Sequence, residues 1–159
     1  MRRKERAVTD RAVIQTLLTE CEVMRVAFQD EPFPYIVPVN FAFEWQGDQL
    51  CLYFHGAPVG KKITLLQRDP HVAVEMDQRH QLISGGNVGC HYSYAYRSLL
   101  GFGTAELVET TAQKRHGLHL LLAQLTQRDQ FELPEKMLAK TAVIKINLVE
   151  FTVKENQAR

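Results

Sequence analysis

The chain has 159 residues, of which 45% are hydrophobic, so we expect one well-formed core and a single domain over residues 1–159. The formal net charge of +1 argues against a protein whose surface as a whole coats nucleic acid or an anionic membrane. No apolar run approaches the ~20 residues that cross a bilayer, no secretion signal follows the basic start, and the three cysteines are far apart, so we expect a cytoplasmic protein without disulfides.

The first elements in chain order are a helix and three strands. The basic start MRRKER (1–6) is expected to be a solvated arm of an N-terminal helical segment (1–20), whose helix is capped by Thr9 or Asp10. A strand over 21–28 follows. Alternate residues of YIVPVNFAFEW (35–45) are apolar, and the turn QGD (46–48) predicts an antiparallel hairpin over 35–55. Pro38 cannot donate a hydrogen bond and therefore indicates an edge strand or a bulge.

The remaining elements mix short helices with strands. A short helix is expected to begin near Lys61 and to end before Pro70, and strands are predicted over 71–77 and 97–109. A helical insertion (110–141), with a capping box at Thr110, precedes a last strand with a bulge near Asn147. About six strands joined mostly by short turns favour a mainly β protein with flanking helices, built as an antiparallel barrel.

Two lysines stand where the short helix begins, in FHGAPVGKK (54–62). The free N–H groups make a helix N-terminus partly positive, so cations are unfavourable there. A phosphate held by these N–H groups and by Lys61 and Lys62 would resolve the conflict. The alternative, that both lysines are merely solvated, stays open on composition. His116 and His119 could meet on one helical face, but two ligands make an incomplete metal site, so we expect no metal.

Three motifs in this order resemble a known family: PYIVPVNF (34–41), FHGAPVGKK (54–62) and YRSLLGFGTA (96–105). Together they are similar to the FMN-binding split-barrel proteins related to pyridoxamine 5′-phosphate oxidase, in particular to the branch with the nitroimidazole-resistance (Nim) flavoproteins. The resemblance covers roughly residues 1–155. It implies a six-stranded antiparallel split barrel of Greek-key type, which forms a homodimer with one FMN in each of two interface clefts.

The resemblance also implies which residues hold the flavin. The strand beside the isoalloxazine ring is matched by Pro38, Val39 and Asn40, and the end of the next strand by Phe54 and His55. The residues on the flavin phosphate are matched by Lys61 and Lys62, and a polar pair on a further strand by Arg97 and Ser98. Lys61 replaces an arginine of the oxidases and so loses bidentate geometry toward phosphate. His55 is the candidate catalytic residue, for proton delivery or substrate orientation.

The implied activity is FMN-dependent reduction of small nitroaromatic, 5-nitroimidazole-like acceptors, with NADH or NADPH as a possible electron donor. Vitamin oxidation is not expected, because the oxidase's C-terminal substrate-binding segment has no counterpart here. Two alternatives stay open: a non-catalytic protein that binds FMN, or haem with His55 as axial ligand, and a structural homodimer without a ligand. Four residues would share one face if extended, as part of the cleft or as interface core: Cys90, Tyr92, Tyr94 and Tyr96.

Overall fold

The computed structural model describes residues 3–157, so Met1 and Arg2 of the basic start lie outside the described residues. One antiparallel sheet contains eight strands: β1 (Ala7–Val8), β2 (Val23–Phe28), β3 (Tyr35–Asn40), β4 (Ala42–Gln46), β5 (Gln49–Gly56), β6 (His71–Ile83), β7 (Ser93–Leu107) and β8 (Ala142–Asn156). Four α helices lie around it: α1 (Arg11–Glu20), α2 (Lys61–Arg68), α3 (Thr111–Thr126) and α4 (Glu135–Ala139).

The strands curl around one main core. Their order is β3-β2-β6-β7-β8-β5-β4, with β1 paired to the second half of β8. The inner face of the sheet packs against apolar side chains of α1 and α2, which include Leu17, Leu18 and Leu66. A smaller cluster lies on the outer face, where Tyr53 and Val143 are buried next to α3. The predicted class, mainly β with flanking helices, is confirmed.

The described residues contain eight strands rather than the predicted six, because β1 was not predicted and because the strand predicted over 35–45 divides at Phe41. Only β4 pairs with β5, whereas β3 turns away and pairs with β2, so the predicted hairpin is wrong for its first half. Phe41 is fully buried in the core, which fixes the position of the bend. Pro38 lies in β3, at one end of the strand order, and an edge strand is where the missing N–H is tolerated, as predicted.

Local signals in the sequence are reproduced closely. The Asp10 carboxylate accepts hydrogen bonds from the backbone of α1, and Thr110 caps α3 through the N–H of Gln113. The bulge of β8 lies at Val149, two residues beyond the predicted position. In the described part of the basic start, Lys4–Arg6 form a 3-10 turn with no buried residue, and the next two residues, Ala7 and Val8, pair with β8.

Strands β6 and β7 are longer than predicted and extend past the barrel as a hairpin. Tyr94 lies on this hairpin and is about half exposed, whereas Cys90 and Tyr92 fall in and beside a short 3-10 turn (Gly89–His91). The four residues from Cys90 to Tyr96 therefore do not share one strand face. None of the helices within residues 3–157 is long and apolar enough to span a bilayer.

Candidate functional site

A fork opens where β3 separates from β5. The β4–β5 ladder ends with Ala42 opposite Tyr53, and its register, if continued, would set Asn40 opposite His55. Instead Asn40 pairs with Val23 of β2. Side chains that lie directly opposite in antiparallel strands point to the same side of a sheet. Asn40 and His55 are both exposed and follow residues that face the core, Val39 and Phe54, so both side chains lie on the outer side, where Asn40 Nδ2 donates to the Glu22 carbonyl over 2.9 Å.

Helix α2 begins beside this fork with its N-terminus uncapped. A loop of four residues (57–60) connects Gly56, the last residue of β5, to Lys61. The N-cap residue is Gly60, whose φ of 121° is a conformation that side-chain-bearing residues rarely adopt. Within residues 3–157 no side chain caps the helix, so the first N–H groups, those of Lys61 and Lys62, have no partner there, while that of Ile63 donates to the Gly60 carbonyl over 2.9 Å. These N–H groups are therefore available to an anion.

The Lys62 ammonium completes a site for an anion. Lys62 is half-buried, and its Nζ lies against Gly56, where a Cβ would overlap it. No carboxylate within residues 3–157 lies within 4.0 Å of this Nζ, and it donates no hydrogen bond there. An unpaired cation beside an uncapped helix N-terminus favours a bound phosphate.

Lys61 has a different environment from its neighbour. Its Nζ lies 2.8 Å from Asp30 Oδ2 and 4.8 Å from the centroid of the Tyr35 ring. The hydrogen bond from Lys61 is the main reason why the pKa of Asp30 is lowered, and Arg68 lies 3.5 Å from the other carboxylate oxygen. Lys61 is thus already paired, whereas Lys62 is not.

Strand alternation separates each adjacent pair of predicted site residues. Phe54 is buried in the core and His55 is exposed on the other face; likewise Val39 packs on the core between exposed neighbours. The side chains that point outward are those of Pro38, Asn40, His55 and Ser98. Val39 and Phe54 could therefore contact a ligand at the fork only through their backbone.

Arg97 faces the interior of the barrel. It is 6% exposed, and its Nε donates a hydrogen bond of 2.9 Å to Glu155 Oε1. Burial raises the pKa of Glu155, but the hydrogen bonds from Arg97 and Gln157 outweigh burial and the pKa is lowered. Ser98 points to the opposite face of β7, because successive residues of a strand alternate. Arg97 and Ser98 therefore cannot direct their side chains to one ligand.

The outer face of the sheet carries an apolar patch. Ile36, Ala27, Ala73 and Phe102 lie in register across β3, β2, β6 and β7. Ile36 is 59% exposed and Phe102 is 46% exposed. Leu100, two residues before Phe102 on the same face, is 45% exposed. We call these five residues the outer patch.

The structure also contains a cleft that the sequence did not predict, between α3 and the outer face of the sheet. Its volume is about 950 Å³, and none of the predicted site residues lines it. At its wall, Tyr53 Oη donates to Glu44 Oε1 over 2.7 Å, and His116 Nε2 lies 2.9 Å from Glu44 Oε2. No sequence signal joins Glu44 to a helix residue 72 positions later.

This Glu44 network perturbs two pKa values. Burial, followed by the hydrogen bond to Glu44, raises the pKa of Tyr53. Burial also raises the pKa of Glu44, but hydrogen bonds from Tyr53 and His116 outweigh burial and lower it. His119, the other histidine of this helix, packs against Phe131 instead. In the described part of the chain, no three His, Cys, Asp or Glu side chains are grouped to hold a metal ion.

Known proteins share this architecture. A candidate 5-nitroimidazole antibiotic resistance protein from Bacteroides thetaiotaomicron is 29% identical, with a TM-score of 0.80 over 94% of this chain and 86% of that chain. The flavocytochrome Anf3 from Azotobacter vinelandii is 19% identical, with a TM-score of 0.81 over 99% and 72% of the two chains. The FAD and heme binding protein from Mycobacterium smegmatis is 21% identical, with a TM-score of 0.80 over 96% and 74%.

The two neighbours under 25% identity show the fold alone, and with the first they confirm the predicted split barrel. Among curated proteins, no sequence matches this chain significantly. The family described as Pyridoxamine 5′-phosphate oxidase, however, matches residues 10–155, which is most of the chain. The curled antiparallel sheet with its forked strand pair is consistent with this family match. The chain belongs to the pyridoxamine 5′-phosphate oxidase family.

Proposed function

We propose that this protein binds FMN at the fork, with the flavin phosphate at the N-terminus of α2. The observation on which this rests is the unpaired Lys62 ammonium, packed against Gly56 beside uncapped helix N–H groups. A phosphate dianion would satisfy both kinds of donor. The residues present therefore fit the cofactor that the family resemblance implies.

The remaining fork residues would orient the ring. The backbone of β3 at Val39 and Asn40 and the end of β5 at His55 border the fork on two sides. When bound, FMN would accept an electron pair from a reduced nicotinamide and pass it to a small aromatic acceptor. His55 is exposed there, and an imidazole can hold or release a proton near neutral pH. We assign His55 to proton delivery or to orientation of the acceptor.

A homodimer is part of the proposal. The outer patch is exposed and apolar over four neighbouring strands, and such surfaces are typical of protein interfaces. The family resemblance implies a dimer with the flavin clefts at the interface. We therefore assign the outer patch to contact with a second copy of the chain.

The acceptor class is inferred from the neighbour at 29% identity. That protein is a candidate for 5-nitroimidazole antibiotic resistance, which supports reduction of small nitroaromatic compounds as the reaction of this chain. The alternative is a carrier that holds FMN or haem without turnover, since one solved neighbour of the same fold is a flavocytochrome and another is an FAD and heme binding protein. Spectra and turnover separate these possibilities.

The decisive experiment begins with the visible spectrum of the purified protein reconstituted with FMN. We expect flavin absorption that is bleached by NADH or NADPH under anaerobic conditions and restored by a 5-nitroimidazole. A haem spectrum would favour the haem carrier, and a flavin that no acceptor reoxidises would favour the non-catalytic FMN carrier. A colourless protein that takes up neither cofactor would overturn flavin binding altogether.

A further inference from the structure

We propose that the cleft between α3 and the sheet is a second ligand site, for a small zwitterion of the free amino acid class. Its floor is the outer face of β7, β8 and β5, and α3 forms its roof. The volume of about 950 Å³ is in the range of small-molecule sites. The cleft lies apart from the fork, so this inference does not depend on FMN binding.

Two opposite charges stand unpaired on the floor of the cleft. Glu106 of β7 and Lys145 of β8 are direct partners in the ladder, so their side chains point into the cleft from neighbouring strands. No ion pair within 4.0 Å joins them in the described residues. Their contacts are weaker ones: Lys145 Nζ donates to Gln46 Oε1 over 3.4 Å and lies close to the Cys51 thiol, and Glu106 accepts from Asn147 over 3.3 Å.

A ligand that carries both charges would stabilise Glu106 and Lys145 more than a direct ion pair between them would. A direct surface ion pair contributes little, because water screens it and two long side chains must be ordered. An amino acid could place its carboxylate on Lys145 and its ammonium on Glu106. The two binding groups would then be held by charge-assisted hydrogen bonds.

The wall of the cleft is fixed in place by groups that a ligand need not displace. Glu44 accepts hydrogen bonds from Tyr53 and Gln46 and contacts His116 of α3. Gly117 lets α3 approach so closely that a Cβ would overlap Val143. Helix and sheet are therefore held at a set spacing, with Val108 and Ala112 available to the apolar part of a ligand.

The test uses L-norvaline and its two matched fragments, pentanoate without the ammonium group and butylamine without the carboxylate. In the wild-type protein we expect L-norvaline to shift the NMR amide resonances of residues 106–113 until they saturate. Each fragment should bind more weakly by about tenfold or more. By calorimetry, Lys145→Gln and Glu106→Gln should each bind L-norvaline with an affinity lower by about tenfold or more. Matched controls on α4, Lys136→Gln and Glu135→Gln, should bind as the wild type does.

The double variant Lys145→Glu/Glu106→Lys should recover binding, because the two positions exchange roles across the same ladder. Absence of saturable shifts in the wild-type protein would overturn the inference without any variant. Butylamine binding as tightly as L-norvaline would show a site for cations only and would overturn it as well. FMN affinity should be the same in all these variants, so failure here is distinguishable from failure of the flavin proposal.

Discussion

Lys62 and Gly56 are in direct contact, with the ammonium of Lys62 lying where any larger residue at position 56 would place its Cβ. The absence of a side chain at Gly56 thus sets the position of the charge. We expect Gly56→Ala to push the flexible end of Lys62 away and to lower FMN affinity without unfolding the protein. Gly89→Ala is the control, because a Cβ at that position meets nothing within 4 Å. Flavin fluorescence titration measures the FMN affinity of both variants. Equal affinities would show that Gly56 is not part of the cofactor site.

The two adjacent lysines should differ in their contribution to cofactor binding. Lys62→Ala removes a charge-assisted contact of about 1.5–3 kcal/mol, so FMN affinity should fall roughly ten- to a hundredfold. Lys61→Ala should have a smaller effect, since its Nζ is already 2.8 Å from the Asp30 carboxylate. The reverse order of the two dissociation constants would show that Lys61 leaves Asp30 to bind the phosphate.

Assembly should depend on the outer patch. Phe102→Glu places a charge at one end of the apolar row, beside Leu100, and burying an unpaired charge in an interface is unfavourable. We expect sedimentation velocity to show a dimer for the wild type and a monomer for this variant. Met137→Glu on α4, where Met137 is 60% exposed, should remain a dimer. If Phe102→Glu also remains a dimer, a different surface forms the interface.

Arg97 should matter for stability rather than for the cofactor. In Arg97→Met the Glu155 carboxylate, whose side chain is 16% exposed, loses its cation, and we expect a loss of about 3 kcal/mol in the free energy of unfolding. The double variant Arg97→Met/Glu155→Leu should recover most of that loss, because no buried charge is left unpaired. Urea unfolding gives these values. A fall in FMN affinity as large as that of Lys62→Ala would instead return Arg97 to the flavin site.

Stability below pH 4.5 should depend on Glu44. Hydrogen bonds from Tyr53 and His116 outweigh burial and hold the folded-state pKa of Glu44 below its ordinary value of 4.5. A carboxyl group whose pKa is lowered on folding stabilises the protein above its unfolded pKa, and the contribution disappears as pH falls through the folded pKa. Glu44→Gln should therefore lower the unfolding free energy at pH 7 and flatten its decline below pH 4.5. Glu109→Gln, a cleft residue outside this network, should leave both unchanged.

The elements with strong local signals could be predicted from the sequence. Asp10 and Thr110 are polar caps ahead of amphipathic segments, and both cap helices in the structure. The division of one predicted strand at Phe41 could not be predicted in this way, because alternation of apolar residues continues through the bend. The partner of β3 is β2, the strand immediately before it across residues 29–34, whereas the alternation over 35–45 favoured one continuous strand paired with β5.

The sequence predicted which residues form the candidate site, but not the direction in which each side chain points. The motif match located Lys62 and His55 near one another in the chain, and the fork brings Asn40 to the same side. The pairing of Lys61 with Asp30 depends on a loop some 30 residues earlier, which no spacing rule connects to it. The cleft under α3 was missed for the same reason, since its wall joins Glu44 to His116 across the sheet.

Strand β8 is bordered along its first half by β5 and β7, and along its second half by β7 and β1. It is also the final strand in chain order. While residues after 141 are still inside a ribosome exit tunnel, two central edges of the sheet have no neighbour, and the nascent chain would offer them to chaperones or to other nascent chains. The sheet therefore cannot close until residues 142–156 have left the tunnel and paired with β5 and β7.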